Sequence, residues 1–187
     1  MEIVPLDLEG VFLGSSPLHI DERGYFREWF RKDAMNAVNL GNFEIAQANV
    51  SLSNRNVLRG IHYSISDFGQ EKWVTCTRGS IIDFIIDLRV DSKTFKKCIS
   101  VSLNETNGAS VFIGNGLGHA FVTLEDSTQV TYLLSSKYEP DFERTIFPFD
   151  PELDIKWNVS DLILSERDKG APTLSQVRAN GYLPNQL

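Results

Sequence analysis

The chain has 187 residues, of which 42% are hydrophobic, so its length suits one domain with a sizeable core and its composition excludes a disordered chain. Its formal net charge of −7 argues against nucleic acid as the main partner, because the phosphate backbone selects basic surfaces. No apolar run is long enough to span a membrane, and the first residues lack the pattern of a signal peptide, so a cytoplasmic protein is predicted.

The sequence pattern over residues 1–134 predicts several short strands and one helix. Residues 1–30 indicate two or three short strands, with turn signals at Gly14 and at 21–24, and residues 31–40 indicate a helix that Gly41 ends. From residue 44 the apolar pattern has period two, which predicts an antiparallel sandwich or barrel. The strands that this pattern marks are 74–78, 80–88, 98–103, 110–113, 119–124 and 129–134.

The remainder, from residue 135, is rich in proline and reads as loops, with a short helix near 174–180 that Gly181 ends. Cys76 and Cys98 both lie in strand-like segments and are interpreted as reduced core residues. There is no repeat or linker, and a single domain is predicted over residues 1–187.

The hexapeptide LRGIHY at 58–63 combines Arg59 and His62, and Lys72 follows ten residues after the histidine. The two apolar segments that carry them are interpreted as one β-hairpin joined by a loop at 64–69. Unpaired charge is costly to place near a core, so the pattern indicates an anionic ligand beside a proton-transfer site. Arg59 and Lys72 would supply the cationic pocket in an otherwise acidic chain.

Strand alternation places His62 and Arg59 on opposite faces, and they can share a pocket only if the strand bulges, for which Gly60 is the least costly position. A barrel interior that received the inward residues of four strands would hold a base, a cation, a donor and a phenol. Those residues are His62, Lys72, His119 and Tyr132.

Each of these residues has an ordinary structural alternative. A lone strand histidine such as His62 is more often a hydrogen-bonded structural residue, and a lone strand tyrosine such as Tyr132 is usually a core residue with a satisfied hydroxyl. Lys72 at a strand start is explained by a side chain that extends to solvent, Asp168 by a surface acid, and residues 21–24 by a polar turn.

A metal site is not predicted. The three histidines, His19, His62 and His119, are far apart in the sequence, and carboxylate ligands at matching spacing are absent. The sequence also lacks a glycine-rich phosphate loop that opens a helix, and it lacks a Gly-x-Ser-x-Gly nucleophile elbow.

Nine ordered motifs between residues 20 and 175 resemble the dTDP-4-keto-6-deoxyhexose epimerases, the cupin family of dTDP-4-dehydrorhamnose 3,5-epimerase. The motifs are DERGYFREWF at 21–30, QANVS at 47–51, VLRGIHY at 57–63, QEKWV at 70–74, DLRVDSKTF at 87–95, GLGHAF at 116–121, YLLSSKYEP at 132–140, DPELDIKW at 150–157 and LSERD at 164–168. The resemblance implies a mainly β, cupin-type jelly-roll sandwich with a few short helices. It also implies a homodimer that exchanges N-terminal strands, and a reaction without metal or other cofactor.

The resemblance further assigns roles to individual residues. His62 is implied as the general base, Asp168 as the carboxylate that orients it, Tyr132 as the acid on the opposite face of the sugar, and Lys72 as the cation that stabilises the enolate. The implied substrate contacts are Arg59 and His119 at the sugar and diphosphate, Gln47, Asn49, Tyr138 and Glu143 at the nucleotide, and Arg23, Phe26 and Glu28 from the neighbouring subunit. These residue types fit the chemistry, because inversion through an enolate needs a base, an acid on the other face and a charge near the oxyanion.

Three departures from the family pattern bear on specificity: Ser64 stands where glutamine is usual, Gly114 where proline is usual, and Ala120 where glycine is usual. They resemble the branch that makes unusual deoxysugars, in which some members invert only carbon 3 or only carbon 5. Inversion of both centres and inversion of one both stay open. So do two other functions on the same scaffold, a nucleotide-sugar 3,4-ketoisomerase and a non-catalytic nucleotide-sugar-binding cupin.

Overall fold

The computed structural model describes residues 1–66 and 69–185 of the chain. This part contains thirteen strands and three short helices. The strands are β1 Glu2–Pro5, β2 Val11–Ser15, β3 His19–Asp21, β4 Gly24–Phe26, β5 Gln47–Ser53, β6 Leu58–Ser64, β7 Lys72–Arg78, β8 Ser80–Asp87, β9 Cys98–Asn104, β10 Ala109–Ile113, β11 Leu117–Thr123, β12 Thr128–Leu134 and β13 Glu143–Thr145. The helices are α1 Lys32–Ala37, α2 Glu166–Lys169 and α3 Leu174–Ala179. In this described part, no helix has the length and apolar character needed to cross a membrane.

Two antiparallel sheets face each other, as the period-two pattern predicted. One has six strands in the order β1-β2-β10-β7-β12-β5, and the other has five in the order β13-β6-β11-β8-β9. Their inward side chains form one shared core, which includes Val74 and Val111 from the first sheet and Ile85 and Phe121 from the second. β3 and β4 form a separate hairpin, and its turn lies where residues 21–24 predicted one.

The predicted hairpin of β6 and β7 is wrong. β6 pairs with β11 and β13 in one sheet, whereas β7 pairs with β10 and β12 in the other. The chain therefore passes from one sheet to the other between Ser64 and Lys72. Period-two spacing identifies strands but not their partners, and both segments are apolar enough for central strands of either sheet.

Parts of the outer faces of the two sheets are also covered. The tail covers the five-stranded sheet, where Trp157 packs edge-on against Phe84 with ring centroids 4.7 Å apart, and Leu174 of α3 is fully buried. On the six-stranded sheet, Met35 of α1 packs in a cluster with Trp73. Fully burying a side chain of this size contributes about 1.5–3 kcal/mol, so the tail that carries α2 is held firmly against the sheet.

Two N-terminal predictions are corrected. Gly14 lies inside β2 rather than in a turn. Only glycine fits at this position, because a Cβ there would overlap the indole ring of Trp73. Helix α1 ends at Ala37 rather than near residue 40, because the chain turns at Asn39, whose φ is 63°, and Gly41 does not cap it.

The predicted tail helix is confirmed as α3, which begins with a capping box between Thr173 and Gln176 and is followed by Gly181 with a φ of 69°. The sequence did not predict α2. At four residues it is too short for a periodic signal, and it is marked only by the cap of Ser165, whose side chain accepts from the Asp168 amide. Cys76 is buried as predicted, whereas Cys98 is only half-buried, and neither forms a disulfide.

Candidate active site

A β-bulge in β6 brings Arg59 and His62 to the same face of the sheet. His62 lies opposite His119, and Arg59 lies opposite Phe121, so three steps along β6 match two steps along β11. This is the bulge that alternation required at Gly60. Gly60 has a φ of 130°, and a Cβ there would lie within 2.7 Å of the His119 carbonyl oxygen, so only glycine fits.

The interior of the sandwich receives the four side chains that the sequence placed there. His62 and His119 face inward from the five-stranded sheet, next to the core residue Phe121. Lys72 and Tyr132 face inward from the six-stranded sheet, because they alternate and pair with the core residue Val74. The base, the cation, the donor and the phenol of the sequence analysis therefore line two facing walls.

His62 forms a dyad with Asp168, whose Oδ1 lies 2.8 Å from Nε2 of the imidazole. Asp168 is buried on α2, so the alternative of a surface acid is wrong. Burial alone would raise the pKa of Asp168, but hydrogen bonds from His62, Ser165 and the Gly60 amide outweigh it and hold that pKa below its usual value. The carboxylate is therefore ionised at neutral pH and fixes the Nε2–H tautomer, which leaves Nδ1 as the proton acceptor.

Lys72 is buried at the start of β7 and does not extend to solvent. Burial lowers the pKa of its ammonium, and the carboxylates of Glu143 and Asp83 oppose that effect. A cation in such a position has few neighbouring waters, so it interacts strongly with any negative charge that forms beside it.

A second dyad, which the sequence analysis missed, lies next to the first. Asp83 is fully buried in β8, and its Oδ2 lies 2.9 Å from Nε2 of His119. Its other oxygen, Oδ1, has no hydrogen-bond partner among the described residues. The available signal was the acid in the middle of the apolar run SIIDFIID, since such a position is rarely occupied by an unpaired carboxylate.

Tyr132 is half-buried on β12 and packs against the shared core. Within the part of the chain that the structure describes, its hydroxyl makes no hydrogen bond, unlike that of Tyr63, which donates to the Tyr182 carbonyl at 3.0 Å. The alternative of a core tyrosine with a satisfied hydroxyl is therefore wrong for Tyr132, whose phenol is free to meet a ligand.

The cavity beside His62 has a volume of about 320 Å³. Its lining includes Arg59 and Arg167 together with the dyad. The Arg59 side chain is held by its Nε, which donates to Ser53 Oγ at 3.1 Å. The cavity thus combines a proton acceptor with two guanidinium groups.

The four predicted nucleotide contacts lie at the end of the sandwich where β5 and β7 begin. Gln47 donates to Asn49 at 2.9 Å, and its carbonyl oxygen accepts from the Tyr138 amide at 2.8 Å. Glu143 accepts from Gln70 Nε2 at 3.1 Å, a contact that the sequence analysis did not single out. Asn49 pairs in register with Tyr132, which joins this group to the site.

Of the predicted site residues, Arg59, His62 and Asp168 line the cavity beside His62, and three others lie apart from the rest of the predicted group. Arg23 and Phe26 belong to the exposed β3–β4 hairpin, where Arg23 forms an ion pair with Asp21. Glu28 pairs with Arg31 at 2.9 Å. In the described structure, none of the three forms a hydrogen bond, an ion pair or a ring contact with another predicted site residue.

Neither dyad belongs to a cluster of metal ligands. Across residues 1–66 and 69–185, the structure contains no group of three or more His, Cys, Asp or Glu side chains that could hold a metal ion. Asp168 and Asp83 each bind a histidine instead.

The chain matches the family model of dTDP-4-dehydrorhamnose 3,5-epimerase over residues 5–176. A dTDP-4-dehydro-6-deoxyglucose 3-epimerase from a Streptomyces species is 40% identical over 181 residues, which cover 96% of this chain and 92% of that relative. A dTDP-4-dehydrorhamnose 3,5-epimerase from Mycolicibacterium smegmatis is 41% identical over 180 residues, covering 96% and 89%. The crystal structure of ChmJ, a 3′-monoepimerase from Streptomyces bikiniensis in complex with dTDP-quinovose, superposes with a TM-score of 0.93 at 38% identity and covers 99% of this chain and 93% of that one. These likenesses confirm the cupin-type β-sandwich.

Proposed function

This chain belongs to the dTDP-4-dehydrorhamnose 3,5-epimerase family, and we propose that it inverts carbon 3, carbon 5 or both of a dTDP-4-keto-6-deoxyhexose through an enolate. The observation that carries this proposal is the placement of two proton-transfer groups on facing walls. His62, which is held by Asp168 of α2, lies on one sheet, and the unpartnered phenol of Tyr132 lies on the other.

In the proposed reaction, Nδ1 of His62 takes the proton from the carbon next to the ketone, and the electron pair of that C–H bond becomes the enolate. Asp168 stabilises the imidazolium that forms, because its carboxylate lies 2.8 Å from Nε2. Tyr132 then donates its proton to the opposite face of the same carbon, and the configuration is inverted.

Lys72 stabilises the enolate oxygen that forms at carbon 4. Its burial supports this role, because a preorganised ammonium in a water-poor site costs no reorganisation when the charge develops. Asp83 and Glu143 have the supporting role of favouring the charged form of Lys72.

Binding energy for the reaction comes from groups remote from the ring. Arg59 and His119 hold the sugar and the diphosphate, and Asp83 fixes the orientation of His119. The nucleotide lies on the residues at the end of the sandwich, namely Gln47, Asn49, Tyr138 and Glu143.

The proposal includes a homodimer in which Arg23, Phe26 and Glu28 complete the neighbour's site. Its support is the β3–β4 hairpin, where Ile20 and Phe26 are 77% and 70% exposed. Large apolar side chains clustered at such exposure are typical of an interaction surface rather than of free solvent-facing hairpins.

Nuclear magnetic resonance of dTDP-4-keto-6-deoxyglucose incubated with the protein in deuterium oxide tests this function. Exchange at carbons 3 and 5 means a 3,5-epimerase, and exchange at one carbon identifies a single-centre enzyme. The chain is 40% identical to a 3-epimerase and 41% identical to a 3,5-epimerase, so this experiment decides between the two activities.

The matched control is His62→Ala, which should bind dTDP normally and exchange neither ring proton. Full exchange by this variant would remove His62 from the role of base. If the product carried its carbonyl at carbon 3, the protein would be a ketoisomerase and not an epimerase. If the wild type bound this substrate without exchanging its ring protons, a non-catalytic binding cupin would be favoured.

A further inference from the structure

Arg27 is a half-buried cation that the mechanism above does not use. It stands between Phe26 and Glu28, two of the residues that the proposed function places in the neighbour's site. The side chain of Phe26 is 70% exposed, so the chain changes from an exposed to a half-buried course at Arg27. The arm, which is the β3–β4 hairpin with Glu28, therefore leaves the body of its own chain at this residue.

The Arg27 guanidinium is bound to strand β7 of its own chain. Its Nη2 donates to Thr75 Oγ1 at 2.7 Å, and the fully buried Thr75 donates in turn to the Ala109 carbonyl at 2.8 Å. Nη1 is also buried and has no hydrogen-bond partner among the described residues. One charge-assisted hydrogen bond, made where little water competes, therefore fixes this side chain.

A second hydrogen bond joins the same segment to the same strand. The indole Nε1 of Trp73 donates to the Trp29 carbonyl at 2.8 Å. Trp73 and Thr75 are two residues apart on β7, so both face outward, away from the wall that carries Lys72. β7 is a central strand that pairs with β10 and β12, so the base of the arm is held at two points on a rigid element.

We propose that Arg27 is a positioning residue, which sets the direction of the arm through Thr75 and so places Phe26 and Glu28 in the neighbour's site. It contacts no substrate itself. An arm whose base is already ordered does not lose that conformational freedom again when substrate binds, so affinity is gained without a further contact. The inference rests on the homodimer of the proposed function.

The test measures the dTDP affinity of Arg27→Met in two backgrounds by titration calorimetry. One background is the wild type, and the other is an arm-deficient variant, Arg23→Ala/Phe26→Ala/Glu28→Ala. Methionine keeps an apolar stem and removes the guanidinium. It should weaken dTDP binding about tenfold in the wild type, on the scale of one charge-assisted hydrogen bond. In the arm-deficient background it should cause no further loss, because no arm contacts remain to be positioned.

Thr75→Val and Thr75→Ser are a matched pair at the other end of the hydrogen bond. Valine removes the acceptor at similar volume, whereas serine keeps the hydroxyl. Thr75→Val should weaken dTDP binding as Arg27→Met does, and Thr75→Ser should bind dTDP as the wild type does. Equal affinities for the two variants would contradict the inference, because the hydroxyl would then have no part in binding.

Three further results would overturn it. Unchanged dTDP binding by Arg27→Met would exclude the role, and an equal loss in both backgrounds would mean that Arg27 acts within its own chain. Dissociation of Arg27→Met into monomers, measured by sedimentation, would mean that it holds the subunits together instead.

Failure of the proposed function gives different results. If the arm-deficient variant bound dTDP as the wild type does, the homodimeric site would be wrong and the inference would fail with it. If that variant bound dTDP weakly while Arg27→Met did not, only the inference would fail. Because dTDP binding needs no turnover, these results are independent of whether the wild type exchanges the ring protons of the sugar.

Discussion

Two buried aspartates, Asp168 and Asp83, each hold a histidine of the site through Nε2, at 2.8 and 2.9 Å. The two histidines differ in access: the His62 side chain is 35% exposed toward the cavity, whereas that of His119 is 9% exposed. Under the proposed function, the more exposed His62 reaches the ring proton, and the more enclosed His119, oriented by Asp83, contacts the sugar and the diphosphate.

Asp168→Asn should lower kcat by about a hundredfold while dTDP affinity stays near the wild-type value, since base catalysis contributes on this order. An amide whose NH₂ group faces Nε2 favours the Nδ1–H tautomer, so the nitrogen that must accept the proton is already occupied. Steady-state kinetics and calorimetry on the same preparation check this expectation.

Asp83→Asn is the matched control, because it makes the same change in the dyad that does not hold the base. It should raise KM for the sugar nucleotide more than it lowers kcat. If both variants lowered kcat equally with unchanged KM, the division of roles between the dyads would be wrong. Thermal unfolding of both variants shows whether each remains folded.

At the scale of residues, the sequence identified candidate site residues but not the side chains that bind them. Lys72 and His62 could be named because charged groups in apolar strands are rare. Asp83 could not be assigned, because its partner His119 is 36 residues away and only the register of β8 and β11 brings them together. Gln70 was missed for the same reason, since its contact Glu143 is 73 residues away in the sequence.

At the scale of elements, alternation along β6 was enough to predict a bulge at Gly60, because Arg59 and His62 had to share a face. The same alternation could not tell which strand β6 pairs with. Helix α2 could not be predicted from the sequence either, because four residues give no periodic signal and its position depends on packing against β6.

The connection from β8 to β9 is organised by one buried carboxylate, Asp87, which accepts from Arg89, Ser92 and Thr94. Burial would raise the pKa of Asp87, but these hydrogen bonds outweigh it and lower that pKa to about 2 from 3.8. Because the folded value is depressed, the stabilisation is complete above pH 4 and is lost as the pH falls toward 2. It amounts to about 2 kcal/mol of the free energy of unfolding.

Asp87→Asn should accordingly reduce the free energy of unfolding by roughly 3 kcal/mol at pH 7, because Arg89 is left buried without its partner. The gap between the variant and the wild type should narrow as the pH falls from 4 toward 2. Urea unfolding of both proteins at one protein concentration measures this gap. A gap that does not change with pH would contradict the assignment to Asp87.

At the scale of the whole molecule, the sandwich was predictable because short runs with period-two spacing follow one another from residue 44 to about 134, whereas β13 lies in the tail that was interpreted as loops. The arrangement of a complete site could not be predicted from the sequence. Three of the residues expected to contact the substrate lie on or next to the β3–β4 hairpin, which is exposed in this chain. Under the proposed function, this arm, which is the β3–β4 hairpin with Glu28, acts at the site of a neighbouring subunit in a symmetric assembly.

Mixed dimers of two inactive variants test that assembly. His62→Ala lacks the base, and the double variant Arg23→Ala/Phe26→Ala lacks the arm. If each site takes its base from one subunit and its arm from the other, a mixed dimer has one complete site, so it should recover about half of the wild-type activity. Co-expression with two affinity tags isolates the mixed dimer, and deuterium exchange measures its activity. If the arm served its own chain's site, neither site of the mixed dimer would be complete and exchange would be absent, and if the protein were a monomer, tandem purification would yield no mixed species.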